Sequence, residues 1–392
     1  MRMLLTASLV CVALLGTAAR AHAQETLNDV LSFLLINRSI PTGDFSRDEQ
    51  AAARTRDAIA GLLAAELGTL PINSPVSGFT YRLDPALGSN VRATSSFGPF
   101  FTERSLTGGR GRGSFGLVYS QADFTTIDGR NLEDGTLVAT ASRFTGDALP
   151  FDAESVRLLM RTRMVTFLGQ FGVTDRLDVS AAVPFVTMKL SGDRVDVYRG
   201  STFVQANAVA SASGLGDAVI RAKYNIVRWG GSGLAAGAEA RLPTGDDENL
   251  LGTGELVVTP RVIGSFERGW LGVHGSFGYG IGAPAKEVQY AGAVTVAPTA
   301  RITVIGEYIG RRLSEGGRLT EVVEPHPALA GVETIRLSAA LEPTTRGLLT
   351  TGVRWNVGAK WLLSVSVMRA VTTAGLNARW VPAFTFDYAL GG

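Results

Sequence analysis

Three segments between Gly214 and Ile281 alternate apolar with polar or small side chains, and this alternation restricts the fold more than any other feature of the chain. Ala218, Ile220, Ala222, Tyr224 and Ile226 are interleaved with Asp217, Val219, Arg221, Lys223 and Asn225. Leu234, Ala236, Ala238, Ala240 and Leu242 are interleaved with Gly237, Glu239 and Arg241. Leu256, Val258, Pro260, Val262 and Phe266 stand against Glu255, Thr259, Arg261 and Ser265. A period of two sends neighbouring side chains to opposite faces, so each segment has one apolar and one polar face. Each runs for roughly 11 to 14 residues, longer than the ~5–6 of a soluble strand and suited to a tilted strand crossing a bilayer. Apolar outside and polar inside is the pattern of an antiparallel transmembrane β-barrel.

The N-terminus bounds the compartment. Arg2, the apolar run Leu4–Gly16 and the small-residue site Ala21-His22-Ala23 mark residues 1–23 as a cleaved secretory signal peptide. Cys11, the only cysteine, lies inside it, so the mature chain is expected to have neither disulfide nor thiol ligand. No later apolar run reaches the ~18 residues of a membrane helix. The mean hydropathy of +0.17 then fits apolar surface spread over many strands. Lys and Arg (37) nearly balance Asp and Glu (35), which gives nucleic acid no basic surface to bind.

Residues 24–70 read as a small helical segment. Leu27, Val30, Leu31 and Leu34 recur at helical spacing, and Pro41–Asp44 breaks the run. Ser46 with Glu49 forms a capping-box pattern ahead of the stripe Ile59, Leu62, Leu63 and Leu67, and Gly68 and Pro71 end it. Residues 71–112 carry Pro71, Pro75, Pro85 and Pro99 and finish in GGRGRG (108–113), too broken for a membrane strand. The barrel is expected over 113–392. Its candidate strands lie near 113–126, 154–171, 177–190, 215–228, 234–244, 254–267, 270–282, 288–297, 301–312, 346–357, 360–370 and 379–390. Short turns alternate with longer linkers at 127–153, 191–214, 245–253, 283–287, 313–345 and 371–378, which makes the count even and puts both barrel ends in the periplasm. The count is about twelve strands. It becomes fourteen if 135–144 and 333–342, which read as hairpin-like pieces of outer loops, are included.

Four blocks carry a family resemblance: FGPFFTERSLTGGRGRGSFGLVYSQADF (97–124), VTFLGQFGVTDRLDVSAAVPFV (165–186), GLGDAVIRAKY (214–224) and RLPTGDDENLLGTG (241–254). They resemble the outer-membrane "meta-pathway of phenol degradation" proteins, as does GFTYRLDPALG (78–88) the longer members. The family is distantly similar to the long-chain fatty-acid outer-membrane transporters. The resemblance implies an outer-membrane channel for passive or facilitated uptake of small hydrophobic or aromatic molecules. The alternative is a structural or adhesion barrel whose outer loops bind a partner, with an outer-membrane hydrolase third. The implied partners are outer-membrane lipid and lipopolysaccharide, the solute, and the assembly machinery. The machinery is expected to read the aromatic face of the last strand, Trp380, Pro382, Phe384, Phe386, Tyr388 and Leu390.

The charged residues follow from facing. Arg157, Arg161 and Arg163 lie opposite Val156, Leu158, Met160 and Met164. A charge facing lipid at mid-bilayer costs ~2–4 kcal/mol, so the arginine face is expected to line the lumen. The same parity places Arg221, Lys223, Arg241, Arg261, Arg354, Asp217, Glu239, Glu255 and Glu307 inward, either as a selective pore wall or as ion pairs filling the barrel. His274 and Ser276 also point inward, but no third residue completes a nucleophile–base set, and no catalytic, cofactor or metal site is expected. Asp246, Asp247 and Glu248 read as a solvated outer loop rather than a Ca²⁺ site. Phe97, Phe100, Phe101 and Arg104 make residues 91–112 a candidate plug. Its phenylalanines would pack together in the lumen and its arginines would pair with Glu239, Glu255 or Glu307; the alternative is a periplasmic linker.

Overall fold

The computed structural model describes residues 26–35, 45–68, 70–74, 81–84, 89–92, 94, 96–282, 286–314, 318–326, 329–340, 342–358 and 360–390, so the expected signal peptide lies outside the described residues. Helices α1 (Leu27–Leu35) and α2 (Phe45–Gly68) come first, then a small hairpin, β1 (Tyr81–Asp84) with β2 (Ser89–Arg92). That hairpin is a regular element within the stretch 71–112, which the sequence reads as irregular.

The rest is a closed antiparallel barrel with twelve wall strands. They are β3 (Gly113–Ile127), β6 (Asp152–Gly172), β7 (Leu177–Tyr198), the end-to-end pair β8 (Ser201–Leu215) and β9 (Val219–Trp229), β10 (Ser232–Arg241) and β11 (Val257–Arg268). β12 (Leu271–Gly280), β13 (Glu287–Thr299), β14 (Ile302–Leu313), β17 (Thr344–Gly358), β18 (Trp361–Ala370) and β20 (Val381–Leu390) complete the wall, and β20 closes it on β3. Short strands β4 (Arg130–Asn131), β5 (Leu137–Phe144), β15 (Leu319–Pro325), β16 (Val332–Ala339) and β19 (Leu376–Ala378) raise one rim. The stretch 191–214 is not the long linker expected. β7 and β8 run on as a ladder to a two-residue turn, where Arg199 (φ 48°) and Gly200 (φ 81°) both take the left-handed conformation that matches hairpin twist.

The aromatic face of β20 points outward, with Phe384 opposite Tyr119 and Phe386 opposite Leu117. Trp361 stacks against Phe386 (4.9 Å) and Tyr388 (4.4 Å) at the short-turn end, the headgroup-level place such rings favour.

Both helices sit at the long-loop end, the end opposite the short turns. α1 starts on a reciprocal cap: the Thr26 amide donates to Asp29 (3.0 Å) and the Asp29 amide donates to the Thr26 hydroxyl (3.1 Å). The Thr26 amide, and then its hydroxyl, hold the Asp29 carboxyl below its ordinary pKa. The Leu27 amide donates to Asn249 (3.2 Å) and the Asn28 amide to the Glu248 carbonyl (3.1 Å), which ties the helix to the loop after β10. Leu34 lies over Gly192 of β7, where a Cβ would come within 2.8 Å of it. Leu27, Leu31, Leu34, Ile59 and Leu63 pack with inward-pointing Val156, Leu158, Met160 and Met188 in one apolar core. Each leucine buried so contributes ~1.5–3 kcal/mol, enough in sum to hold two helices inside the rim.

Facing alternates as the pattern predicts on β9, β10 and β11, with Ile220, Leu234 and Val262 outward and Lys223, Glu239 and Arg261 inward. Val262→Arg, mid-strand and outward, should therefore lower barrel stability by ~2–4 kcal/mol, whereas Val257→Arg, which points into the lumen, should cost well under half of that. Urea unfolding in lipid vesicles measures both, and equal losses would mean the register is displaced by one residue.

Candidate functional site: the occupied lumen

The lower lumen is filled by Thr94 and residues 96–108, irregular chain whose backbone polar groups have no ladder partners of their own. Wall side chains supply them. Thr303 accepts from the Phe97 amide (2.9 Å), and Glu307 accepts from the amides of Phe100 (3.0 Å), Phe101 (3.0 Å) and Thr102. Lys223 donates to the Arg104 carbonyl (2.9 Å) and Asn225 to the Ser105 carbonyl (2.8 Å). Asp178 accepts from the Gly108 amide (2.9 Å), and the Thr107 hydroxyl donates to the Asp175 carbonyl (2.7 Å) in a short turn. Irregular backbone at membrane depth is tolerated where protein surrounds and satisfies it.

The plug candidates are in the lumen, but not in one cluster. Phe97 packs on Leu362 and Ala389, Phe100 lies under the Arg354 guanidinium (4.9 Å), and Phe101 faces two cavities. Arg104 pairs with Glu267 (3.0 Å) and donates to the Ser96 carbonyl (2.8 Å), rather than reaching Glu239, Glu255 or Glu307. Glu267 has the right parity on β11 but sits nearer the short turns, at the depth this part of the segment reaches.

Wall charges form compact pairs. Glu239 binds Arg221 (2.6 Å) and Arg261 (3.0 Å), and Arg221 also approaches Glu103 (3.6 Å). Lys223 lies between Glu103 (3.8 Å) and Asp178 (4.0 Å). Arg354 pairs with Asp387 (3.2 Å) and donates to the Pro99 carbonyl (2.9 Å). His274 contacts Ser265 (3.0 Å), Thr295 (3.3 Å) and Glu267 (3.7 Å), a hydrogen-bond network beneath Arg104. Arg241 lines the more polar cavity.

Five expected lumen residues are elsewhere. Arg157, Arg161 and Arg163 point outward, and Val156, Leu158, Met160 and Met164 point inward. The facing is the reverse of that expected because the cost of an outward charge applies only at mid-bilayer. At 21 residues β6 is about twice the ~9–11 that span, so part of it projects beyond the bilayer and an outward charge there need not face hydrocarbon. Glu255 is exposed in the loop after β10. Asp217 is buried at the break between β8 and β9, where it clamps that loop through the Gly245 amide (3.1 Å) and Thr253 amide (2.8 Å).

Sequence reasoning missed Glu103, Asp178, Glu267 and Asp387, although alternation carries the signal for the last three. It also missed a cluster at the end of α2, where Glu66 accepts from Arg311 (2.7 Å) and pairs with Arg346. This pairing has no sequence signal, since α2 and β14 approach only in the fold. Beside the cluster is an apolar cavity of about 90 Å³ lined by Phe101, Phe124, Met164, Ile309, Leu348 and Met368. A second, more polar cavity of about 140 Å³ is lined by Ile72, Arg221, Glu239, Arg261 and Tyr290. Pro71, Phe101, Ile309 and Arg311 line both, so Phe101 and Pro71 form part of the partition between them.

Glu307→Ala removes the acceptor for three consecutive amides. Hydrogen exchange at Phe100, Phe101 and Thr102 should speed at least tenfold with the barrel intact, and unchanged exchange would mean that other groups hold the segment.

Residues 136–312, a little under half of the chain, match the model of the family described as "Putative MetA-pathway of phenol degradation". A comparison with curated proteins finds no match. Among solved structures the chain is similar to an outer membrane channel from Pseudomonas putida F1, with 13% identity over 73% of this chain and 98% of that one and a TM-score of 0.48. It is also similar to the toluene transporter of Ralstonia pickettii, with 12% identity over 83% and 100% of the two chains and a TM-score of 0.32. A Pseudomonas aeruginosa FadL homologue gives 9% identity over 71% and 89%, with a TM-score of 0.31. The matched span holds three of the four blocks that carry the resemblance.

Proposed function

We propose that the protein is an outer-membrane channel for passive or facilitated uptake of small hydrophobic or aromatic molecules, with residues 96–108 as the gate. The observation that carries this is the pair of cavities meeting at Phe101 and Pro71. The apolar one suits an aromatic or aliphatic body, and the polar one offers water and charge on the other side of the partition. Direct passage of a solute from the first to the second would require Phe101 to move. The segment is held by hydrogen bonds to wall side chains, which can be exchanged without opening the barrel ladder. The family match agrees with this reading. Outer-membrane lipid, lipopolysaccharide and the assembly machinery that would read β20 are the partners it implies, after export through a cleaved signal peptide.

The filled lumen favours a second reading, a structural barrel whose outer loops bind a partner. The two differ in flux. Vesicles holding the full chain should take up aromatic and fatty-acid solutes faster than sugars of similar size, and Phe101→Ala should raise single-channel conductance several-fold in a planar bilayer. Solute-independent leakage at the protein-free rate in both proteins would remove the transport reading.

A further inference from the structure

The outward face of the barrel changes character along one line that crosses four neighbouring strands. Tyr119 of β3, Val165 of β6, Phe185 of β7 and Leu215 of β8 are opposite one another in register and form an apolar row. One step toward the long-loop end, the row reads Gln121, Arg163, Thr187 and Ser213; the next reads Asp123, Arg161, Lys189 and Ser211. Arg161 and Lys189 are direct cross-strand partners, and Arg163 follows Arg161 by two residues on the same face. Direct partners stand roughly 5 Å apart at Cβ and same-face neighbours roughly 7 Å, so the three cations share one patch.

Only part of this charge is balanced. Arg161 pairs with Asp123, and Gln121 donates to that aspartate (3.2 Å). Arg163 and Lys189 are exposed and have no acidic partner among the described residues. Like charges directly opposite on a sheet repel, and one aspartate against Arg161, Arg163 and Lys189 leaves the patch with a positive excess that a further anion would relieve. The position selects that anion. A cation one or two rows above an apolar band lies at headgroup level. On the long-loop side of an outer-membrane barrel, the headgroups are phosphorylated sugars whose acyl chains would lie on Tyr119, Val165, Phe185 and Leu215.

We infer that Arg161, Arg163 and Lys189 form a binding site on the outer wall for the sugar phosphate of lipid A, with Thr187 and Ser211 as adjoining hydroxyl donors. Arg163 supplies a planar fork matched to phosphate oxygens and Lys189 a mobile point charge beside it. The site rests on the reading that this barrel sits in an outer membrane, not on its being a channel.

The test uses the full mature chain refolded in detergent, with chelator present so that divalent cations cannot bridge, and follows lipid binding by native mass spectrometry. Bisphosphorylated lipid A should bind at least tenfold more tightly than the fully dephosphorylated lipid with the same acyl chains. The double variant Arg163→Gln/Lys189→Gln should lose that preference while remaining heat-modifiable. Both side chains are exposed, but should the double variant fail to fold, Lys189→Gln alone and the two-lipid comparison on the unaltered protein still decide. Equal binding of the two lipids by the unaltered protein, or full preference in a folded variant, overturns the site. Conductance of the same preparations separates the two ideas: a conducting barrel without phosphate preference sinks only this inference, and a phosphate-selective barrel without solute flux sinks only the transport reading.

Discussion

The structure depends on a hydrophobic core built inside the rim of a barrel. β6, β7 and β8 extend far past the bilayer, and a projecting two-sided sheet would expose an apolar inner face to water. α1 and α2 cover that face. Leu31, Leu34 and Leu63 are fully buried against Val156, Leu158 and Met188, and Gly192 lets α1 come into contact with the sheet. The upper barrel therefore obeys the packing rules of a soluble domain, and only the lower barrel obeys those of a membrane span.

This core also dictates the path of the N-terminal chain. The helices are at the long-loop end, and the first wall strand starts at the short-turn end, beside the turn holding Asp175. The described residues 70–74 and 96–108 between them lie in the lumen. A descending irregular chain needs hydrogen-bond partners, and the inward carboxylates, amides and hydroxyls provide them. Glu307 alone serves three amides. Buried charges are costly when unpaired, and the lumen answers with short ion pairs such as Arg221–Glu239 and Arg354–Asp387. The ladder of ion pairs and the seat of the plug are thus the same set of residues, which is why a wall substitution should be read out in the motion of the segment.

The charges outside the wall obey a different balance. In the membrane band, outward positions are apolar because lipid cannot solvate a charge. One strand step higher comes Arg163, and two steps higher Arg161 and Lys189, where water and headgroups can. The boundary between these rows records where the bilayer ends more directly than strand length does.

The sequence by itself determined the barrel, its parity on β9 to β11, the positions of nearly all wall strands and the two helices, because a period of two or of 3.6 is a local property. It also held, unread, the turn at Arg199–Gly200 that turns an expected linker into ladder. Only the tertiary structure decided the facing of Arg157, Arg161 and Arg163, since the same alternation fits either assignment until the height of the strand above the bilayer is known. It alone decided that Glu66 meets Arg311 and Arg346, that Arg104 chooses Glu267, and that Phe101 stands between two cavities. Those contacts join elements distant in the chain. They are fixed by how far one segment descends through the lumen, a length set by packing at the rim rather than by any local pattern.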